Sequence, residues 1–574
     1  MRLKTAAALL LLGLVALVAG IGQLSWWAPN DRVTATIPAD TQDAPLTVID
    51  NRLGDLRGGE ATLTIRSEGS FVLATGRPDD VAGWVGPAAH NTIAGASDDG
   101  KVLTVQHADG EASSPNPAGA DVFASTQNAS GEYEYHWDVP DNGEWQLMLA
   151  TDGSAPAPKD ISITWPSHAT TPWAVPLIVI GALLVVAAGV LAFLHTRQAG
   201  SHGGPSGSAT GPWPRRRTPG STTATAAVPR TPGKAPRMAD GATRRPGAVR
   251  LGAGLAVVVL GLTAAPAAQA TTAPSPGATQ APSAGRVLLD DQLTRILEQT
   301  ANAVQAGDDA KDAGKLSLRV GGSALLARTQ NYKVRAAVAS APALSPVRAA
   351  DLRTSVITTQ REWPRTVMAV TQGEGNTTPQ LLTLRQESAR SNYKLIEAAP
   401  LLPGATFPAT PRSGAEQVPL DSKAGLAYTP AEAIAGVADR LTYPDSVWAD
   451  RVPENAYIKD TIGYQGDIVK NGPNGNFTAK HTLVGNEATA FRTADGGAVV
   501  LAPLDFVFEG TPKASGDKLT LADDAAALAG GKETTAGISL TFRESLVIVV
   551  PADGGAKEVT LIGATRNLTG AALK

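Results

Sequence analysis

"WAVPLIVIGALLVVAAGVLAFL", residues 173–194, carries no charge over 22 positions and is built largely from Val, Leu, Ile, Ala and Gly. A helix of that length and composition matches the hydrocarbon thickness of a bilayer. It predicts a transmembrane helix over 171–196, with Trp165 and Trp173 at one end and His195 and Arg197 at the other.

The stretch that follows, 197–250, holds ten basic residues and one acid, Asp240, among Gly, Pro, Ser and Thr. Without an apolar period it cannot repay the entropy of folding, so it is expected to be a disordered linker. Its positive charge places it in the cytoplasm. Behind it, 251–270 reads like a misplaced secretory signal. An apolar run from Leu251 to Leu262 leads to the small-residue pattern Ala268-Gln269-Ala270 and a Thr/Pro/Ser tether at 271–285. The segment is a third transmembrane helix, which the reading favours, or an internal signal cleaved after Ala270. At the other end, "MRLKTAAALLLLGLVALVAGIGQLSWW" has Arg2 and Lys4 before an uncharged run from Thr5 to Leu24. Residues 1–29 are therefore a signal anchor or a signal peptide. The expected location is the cell membrane, multi-pass, with 30–170 and the region after 270 outside and the linker inside.

Composition narrows the chemistry. The 574 residues contain no cysteine, which removes disulfides, thiolate metal sites and a cysteine nucleophile. A net charge of −4 gives no global field for nucleic acid, and no nucleic-acid partner is expected. An exported protein of this size without cysteine suits a bacterium.

Residues 30–170 alternate in short runs such as "EATLTIRSE", "SFVLATG", "KVLTVQH", "GEYEYHW" and "DISITWP", separated by Gly- and Asp-rich turns. They predict an antiparallel β-sandwich. "PDDVAGWVG" (78–86) is the one short helix, with Asp79 or Asp80 as its cap. His90, His107 and His136 lack a metal-binding spacing, Asp98 and Asp99 read as loop residues, and Glu132, Tyr133, Glu134 and Tyr135 read as a solvent-facing strand edge.

After the tether the period becomes helical. Leu289, Leu293, Ile296, Leu297, Ala301 and Val304 share one helix face, and "GGSALLARTQNYKVRAAV" is a second helix. Four strands follow between 352 and 402. The order recurs from 411: "TPAEAIAGVADRL" opens with a capping box, Thr429 and Glu432 around Pro430, and long strands come after it. "ADGG" at 494–497 and 552–555 supplies hairpin turns. The region is thus α+β in two halves, 286–410 and 411–574, each with helices before an antiparallel sheet.

This element order, and the opening "ANAVQAGDDAKDAGKL…GGSALLARTQNYKV", resembles nuclear-transport-factor-2-like and cystatin-like domains. The whole layout is similar to uncharacterised membrane-anchored extracytoplasmic proteins of actinobacteria. The resemblance implies a curved sheet covered by helices and hands over no catalytic residue.

No P-loop, G-x-G-x-x-G, G-x-S-x-G or H-E-x-x-H motif is present. His481, on an expected strand, and Asp505, on the strand face opposite Leu504 and Phe506, read as structural and solvent-facing. No catalytic, cofactor-binding or metal residue is singled out, and no cofactor is expected. The reading is a non-catalytic binding or scaffolding protein of the bacterial cell envelope, whose partners are the membrane and an envelope protein or glycan. The alternative is a glycan-modifying envelope enzyme with a carboxylate pair.

Overall fold

The computed structural model describes residues 2–54, 56, 61–137, 145–167, 170–199, 285–485 and 487–574. Nearly all of the basic linker 197–250, the third apolar segment 251–270 and the tether 271–285 lie outside the described residues. The described parts form two compact units. One is a pair of apolar helices; the other joins 28–171 to 285–574.

The helix pair is α1 (Arg2–Leu24) with a later helix, Ala174–Ala199. They run antiparallel, since Gly13 lies against Gly181 and Val185 while Gly20 lies against Ala174 and Ile178. Their seam is a seven-residue repeat of buried small residues: Ala6, Gly13 and Gly20 on one, Ala174, Gly181 and Ala188 on the other. A Cβ on Gly181 would sit 2.7 Å from the Gly13 carbonyl oxygen, so only glycine lets the backbones approach this closely. The outward side chains are large and bare, with Leu11 69%, Leu183 64% and Val186 63% exposed. By length and composition both helices can cross a membrane.

Between these helices lie β1 (Arg32–Thr36), β2 (Leu46–Ile49), β3 (Thr62–Gly76), α2 (Pro78–Val85), β4 (His90–Ala96), β5 (Leu103–Ala108), β6 (Ser125–His136), β7 (Gln146–Ala150) and β8 (Asp160–Pro166); the second apolar helix is α3. The region is β-rich as expected, but it is one continuous sheet rather than two. The order is β1-β8-β3-β7-β2-β4-β5 with β6 on the other edge of β3, and β2 and β4 are parallel. β3 is long enough to serve twice. It pairs β8 through Thr62–Arg66 and β7 through Val72–Gly76, and its register with β6 breaks between Ser67 and Ser70. The sheet thereby encloses its own core of Leu63, Ile65, Phe71, Leu73, Ile163 and Trp165. The cap assignment for α2 is corrected. Arg77 is the N-cap without a side-chain cap bond, Pro78 opens the helix, and Asp80 points into the protein.

The C-terminal region has α4 (Asp290–Ala310), α5 (Gly322–Ala337) and β9 (Thr354–Ile357), β10 (Arg365–Thr371), β11 (Gln380–Gln386) and β12 (Lys394–Pro400), a meander in the order β12-β11-β10-β9. Its second half has α6 (Pro430–Thr442), α7 (Ala456–Asn471), β13 (Gly475–Leu483), β14 (Thr489–Arg492), β15 (Ala498–Pro512), β16 (Leu519–Thr520), α8 (Asp523–Ala529), β17 (Glu533–Thr534), β18 (Ile538–Val550) and β19 (Thr560–Leu573). The capping box of α6 is formed, with Glu432 N donating to Thr429 Oγ1 at 3.1 Å and Thr429 N donating to Glu432 Oε2 at 2.9 Å.

Each sheet is apolar on both faces, and the reason is layering. In the first half Val367, Ala369, Leu382 and Leu384 pack under α4 and α5, while Val356, Met368, Val370 and Leu381 face the other way. In the second half Val500, Leu504, Leu546 and Ile548 pack under α6 and α7, while Val499, Leu501 and Val547 face away. The outward sets of the two halves meet in one core with Phe491 and Ile562. The result is four layers, helix–sheet–sheet–helix. Where the two sheets meet neither has a solvent face, so those strands read as continuous apolar runs, whereas β13 alternates and keeps Asn476, Thr478, Lys480 and Thr482 exposed.

The N-terminal β domain docks on the first C-terminal half. Trp84 and Val85 of α2 join Val122 and Phe123 in an apolar cluster completed by Ala389 and Trp363. A Cβ on Gly83 would lie 2.6 Å from the Trp363 ring, so a glycine is needed at this contact. Arg365 pairs with Asp80 and Arg319 with Asp121, all four side chains nearly or fully buried. Asp121 also accepts from the Tyr393 amide at 2.8 Å. Arg390 donates to the Trp84 and Val85 carbonyls at 2.7 and 2.9 Å, capping the end of α2, and Arg77 donates to the Val287 carbonyl at 2.8 Å. Burial pushes the Arg77 guanidinium down to about 10, so it stays charged at neutral pH.

Candidate functional site

At one end of the sheet–sheet interface the apolar core gives way to polar groups around a cavity of about 210 Å³. Its floor is Glu397 on β12, with Ser545 and Arg543 on β18 and Ser323 on α5; Arg328, Gln380 and Asn567 stand in the walls.

A β-bulge aims Glu397. On β11, Thr383 pairs with Glu397 and Leu384 pairs with Leu395, which leaves Ile396 as the extra residue. Leu395 faces the helices, so strict alternation would put Glu397 there too. The bulge turns it to the opposite face, beside Thr383 and against β18.

Glu397 is 2% exposed, and Ser545 donates to its Oε2. Desolvation pushes its carboxyl up to about 7, against the pull of the Ser323 and Ser545 hydroxyls and the Arg543 charge; Glu487 adds to the rise. The arginines are already engaged. Arg543 Nε donates to Asp505 Oδ1 at 2.9 Å and its Nη1 to Ser323 Oγ at 2.8 Å. Arg328 pairs with Asp308, and its Nη2 donates to the Ser345 carbonyl at 3.0 Å. A carboxyl that titrates near neutrality at the floor of a cleft marks a functional candidate.

The titration has a measurable consequence. The folded-state value lies above the ordinary 4.5, so the neutral carboxyl is the favoured folded form. Its stabilising contribution is complete below 4.5 and is lost as pH rises through about 7, a change of roughly 3 kcal/mol. Glu397→Gln, which cannot ionise, is expected to lack this slope. Urea unfolding of both proteins at pH 5 and pH 8 checks it; a stability difference that is the same at both pH values contradicts it.

The residues weighed from sequence fall elsewhere. His481 sits on β13 with a fully buried side chain, Nδ1 2.9 Å from Thr442 Oγ1 and Nε2 3.4 Å from Glu544 Oε2. Tyr457 OH donates to Glu544 Oε1 at 2.8 Å, and the imidazole stacks on Phe506. This cluster ties α6 and α7 to the sheet and does not line the cavity. Burial and the Glu544 carboxylate hold the Tyr457 hydroxyl well above its ordinary range. Asp505 is half-buried against Arg543 rather than solvent-facing. His107 contacts Asn91 and Asp109, and His90 contacts the Ala88 carbonyl. Among the described residues no group of three or more metal-ligating side chains is assembled. Tyr135 is buried, while Glu132 and Glu134 remain on the exposed face of β6.

A second cavity, about 450 Å³, opens between α7, α8 and the far end of β18. Tyr464, Phe477, Leu540 and Phe542 make it apolar, with Lys518 and Asp524 among its polar lining residues. Among its titratable lining residues Asp467, Lys518 and Asp524 are exposed, and Tyr464 is half-buried, with burial pushing its hydroxyl up.

A family described only as a domain of unknown function, DUF8094, matches residues 284–572, half of the chain. The chain belongs to this family. No curated protein and no solved structure matches it. The DUF8094 match spans both C-terminal halves, so the four-layer body and the Glu397 cavity lie within it, while the N-terminal β domain and the apolar helices do not.

Proposed function

We propose that the chain is a membrane-anchored, extracytoplasmic binding protein of the bacterial cell envelope, non-catalytic, in which the β domain and the DUF8094 region act as one body. The observation that carries this reading is the docking through Asp80–Arg365 and Asp121–Arg319. Two domains that share buried ion pairs occupy one compartment. If α1 and α3 both cross the bilayer, residues 28–171 lie on one side and the chain after α3 starts on the other. Reaching the docked DUF8094 region then needs a further crossing, and 251–270 is the apolar segment placed to make it. The ten basic residues of 197–250 orient this arrangement with the docked domains outside. The bare apolar faces of α1 and α3 support anchoring in lipid.

Binding is favoured over glycan hydrolysis by the charges at the cavity. Two-carboxylate hydrolysis needs an acid and a second carboxylate across the scissile bond. Among the described residues Glu397 is the one acid lining the cavity, and Asp308 and Asp505 are held by Arg328 and Arg543. After cell breakage and an alkaline wash the chain is expected in the membrane pellet, and the detergent-extracted protein is expected to release no product from envelope glycans. Recovery in the wash would overturn the anchoring; product release that Glu397→Gln abolishes would overturn the non-catalytic reading.

A further inference from the structure

We infer that the Glu397 cavity binds one uncharged, hydroxyl-rich ring, a single sugar or cyclitol unit, with the Glu397 carboxylate accepting its hydroxyl protons. This rests on the binding reading and names its ligand class.

Size sets the first limit. About 210 Å³ is below the roughly 300–1,000 Å³ of sites for drug-sized ligands, so one small ring is the scale. Charge sets the second. Arg543 and Arg328 are matched by Asp505 and Asp308, so an anion finds no free counter-charge. A cation reaching Glu397 would lie beside the Arg543 guanidinium. What remains is neutral and hydrogen-bonding. Gln380 Nε2 donates to the Pro346 carbonyl at 2.8 Å, which uses one amide hydrogen and fixes the orientation of a side chain whose oxygen is an acceptor. Ser323 and Ser545 direct their protons to Glu397 and offer lone pairs, while the Thr565 hydroxyl can give or accept. Ala324, Ala327 and Ala398 form a low apolar patch suited to the C–H face of a ring.

The bulge at Ile396 supports a purpose for this arrangement. It carries a carboxyl group to the polar end of an otherwise apolar interface, and burying such a group is costly unless it is hydrogen-bonded. Hydroxyl donation stabilises the ionised form. Ligand binding therefore strengthens as pH rises through about 7. The charged groups facing Glu397 are Arg543 on β18, with Asp505 behind it on β15, Glu487 from the loop before β14, and Arg328 on α5 with Asp308 on α4.

The test uses the full chain in detergent. Saturation-transfer NMR and thermal unfolding are run with glucose, N-acetylglucosamine and myo-inositol, with phosphate and glucuronate as anions, and with spermidine as a cation. A neutral ring is expected to bind, about tenfold more tightly at pH 8 than at pH 6. Glu397→Gln is expected to weaken it about ten- to a hundredfold and to remove the pH dependence. Asn567→Ala, at the more accessible wall, weakens binding without touching the buried floor. Silence from every neutral ring at tens of millimolar overturns the inference, and so does preferential binding of phosphate, glucuronate or spermidine, which would leave the binding reading standing. A neutral ring that binds and is then converted upholds the ligand class and overturns the non-catalytic reading.

Discussion

Asp80→Ala is expected to be the most damaging single substitution in the β domain, costing about 3–5 kcal/mol, because it leaves Arg365 buried without its partner. Two further arginines depend on the same carboxylate. Arg77 and Arg361 both feel its charge, so three guanidinium groups would crowd an interior with one fewer anion. Replacing both partners, as in Asp80→Leu with Arg365→Met, restores an apolar contact beside Trp363 and Ala389 and is expected to recover most of the loss. Chemical unfolding of the full chain compares them. A double variant as unstable as Asp80→Ala would show that the ion pair does not act as a unit.

Cutting the chain between the docked domains is expected to release nothing. A protease site placed at Gly220 and cleaved in detergent should leave the N-terminal piece and the DUF8094 piece eluting together. The contact between them includes the Trp84–Phe123 cluster, two buried ion pairs and the Arg390 cap on α2. A consequence for the cell follows. Should processing occur after Ala270, the DUF8094 region still stays at the membrane, held by the β domain. Adding Asp80→Ala to the cleaved chain should convert retention into release. Separate elution of the unmutated pieces would contradict the docking as a stable interface.

Much of the fold is legible in local sequence, because local rules decide it. Thr429, Pro430 and Glu432 specify the start of α6 through bonds within four residues, and the structure makes both bonds. The small-residue repeat of Ala174, Gly181 and Ala188 can be read from spacing once α3 is known to be helical. α7 is hidden because Gly463 and Gly466, both on its exposed face, lower its helix propensity; burial of Ile458 and Thr461 overrides that weak propensity. The candidate site is hidden for a different reason. Glu397 in "KLIEAAP" is in phase with Leu395 by alternation, and only the bulge, a property of strand pairing, sends it to the other face. A lone acid inside an apolar strand was the available signal, and Glu544 in "FRESLVIVV" carries the same one. The docking of the β domain has no local signature, since Asp80 and Arg365 are 285 positions apart.

The absence of cysteine makes one measurement clean. Single cysteines at Asp109 in the β domain, Gly220 in the linker and Val447 in the DUF8094 region are each treated with a membrane-impermeant thiol reagent on intact cells. Asp109 and Val447 are freely exposed, at 101% of the side chain and 83% of the residue. Labelling at positions 109 and 447 from outside, with position 220 reacting only after the membrane is opened, is the predicted result. Labelling at 109 and 447 from opposite sides of the membrane would contradict a single docked extracytoplasmic body.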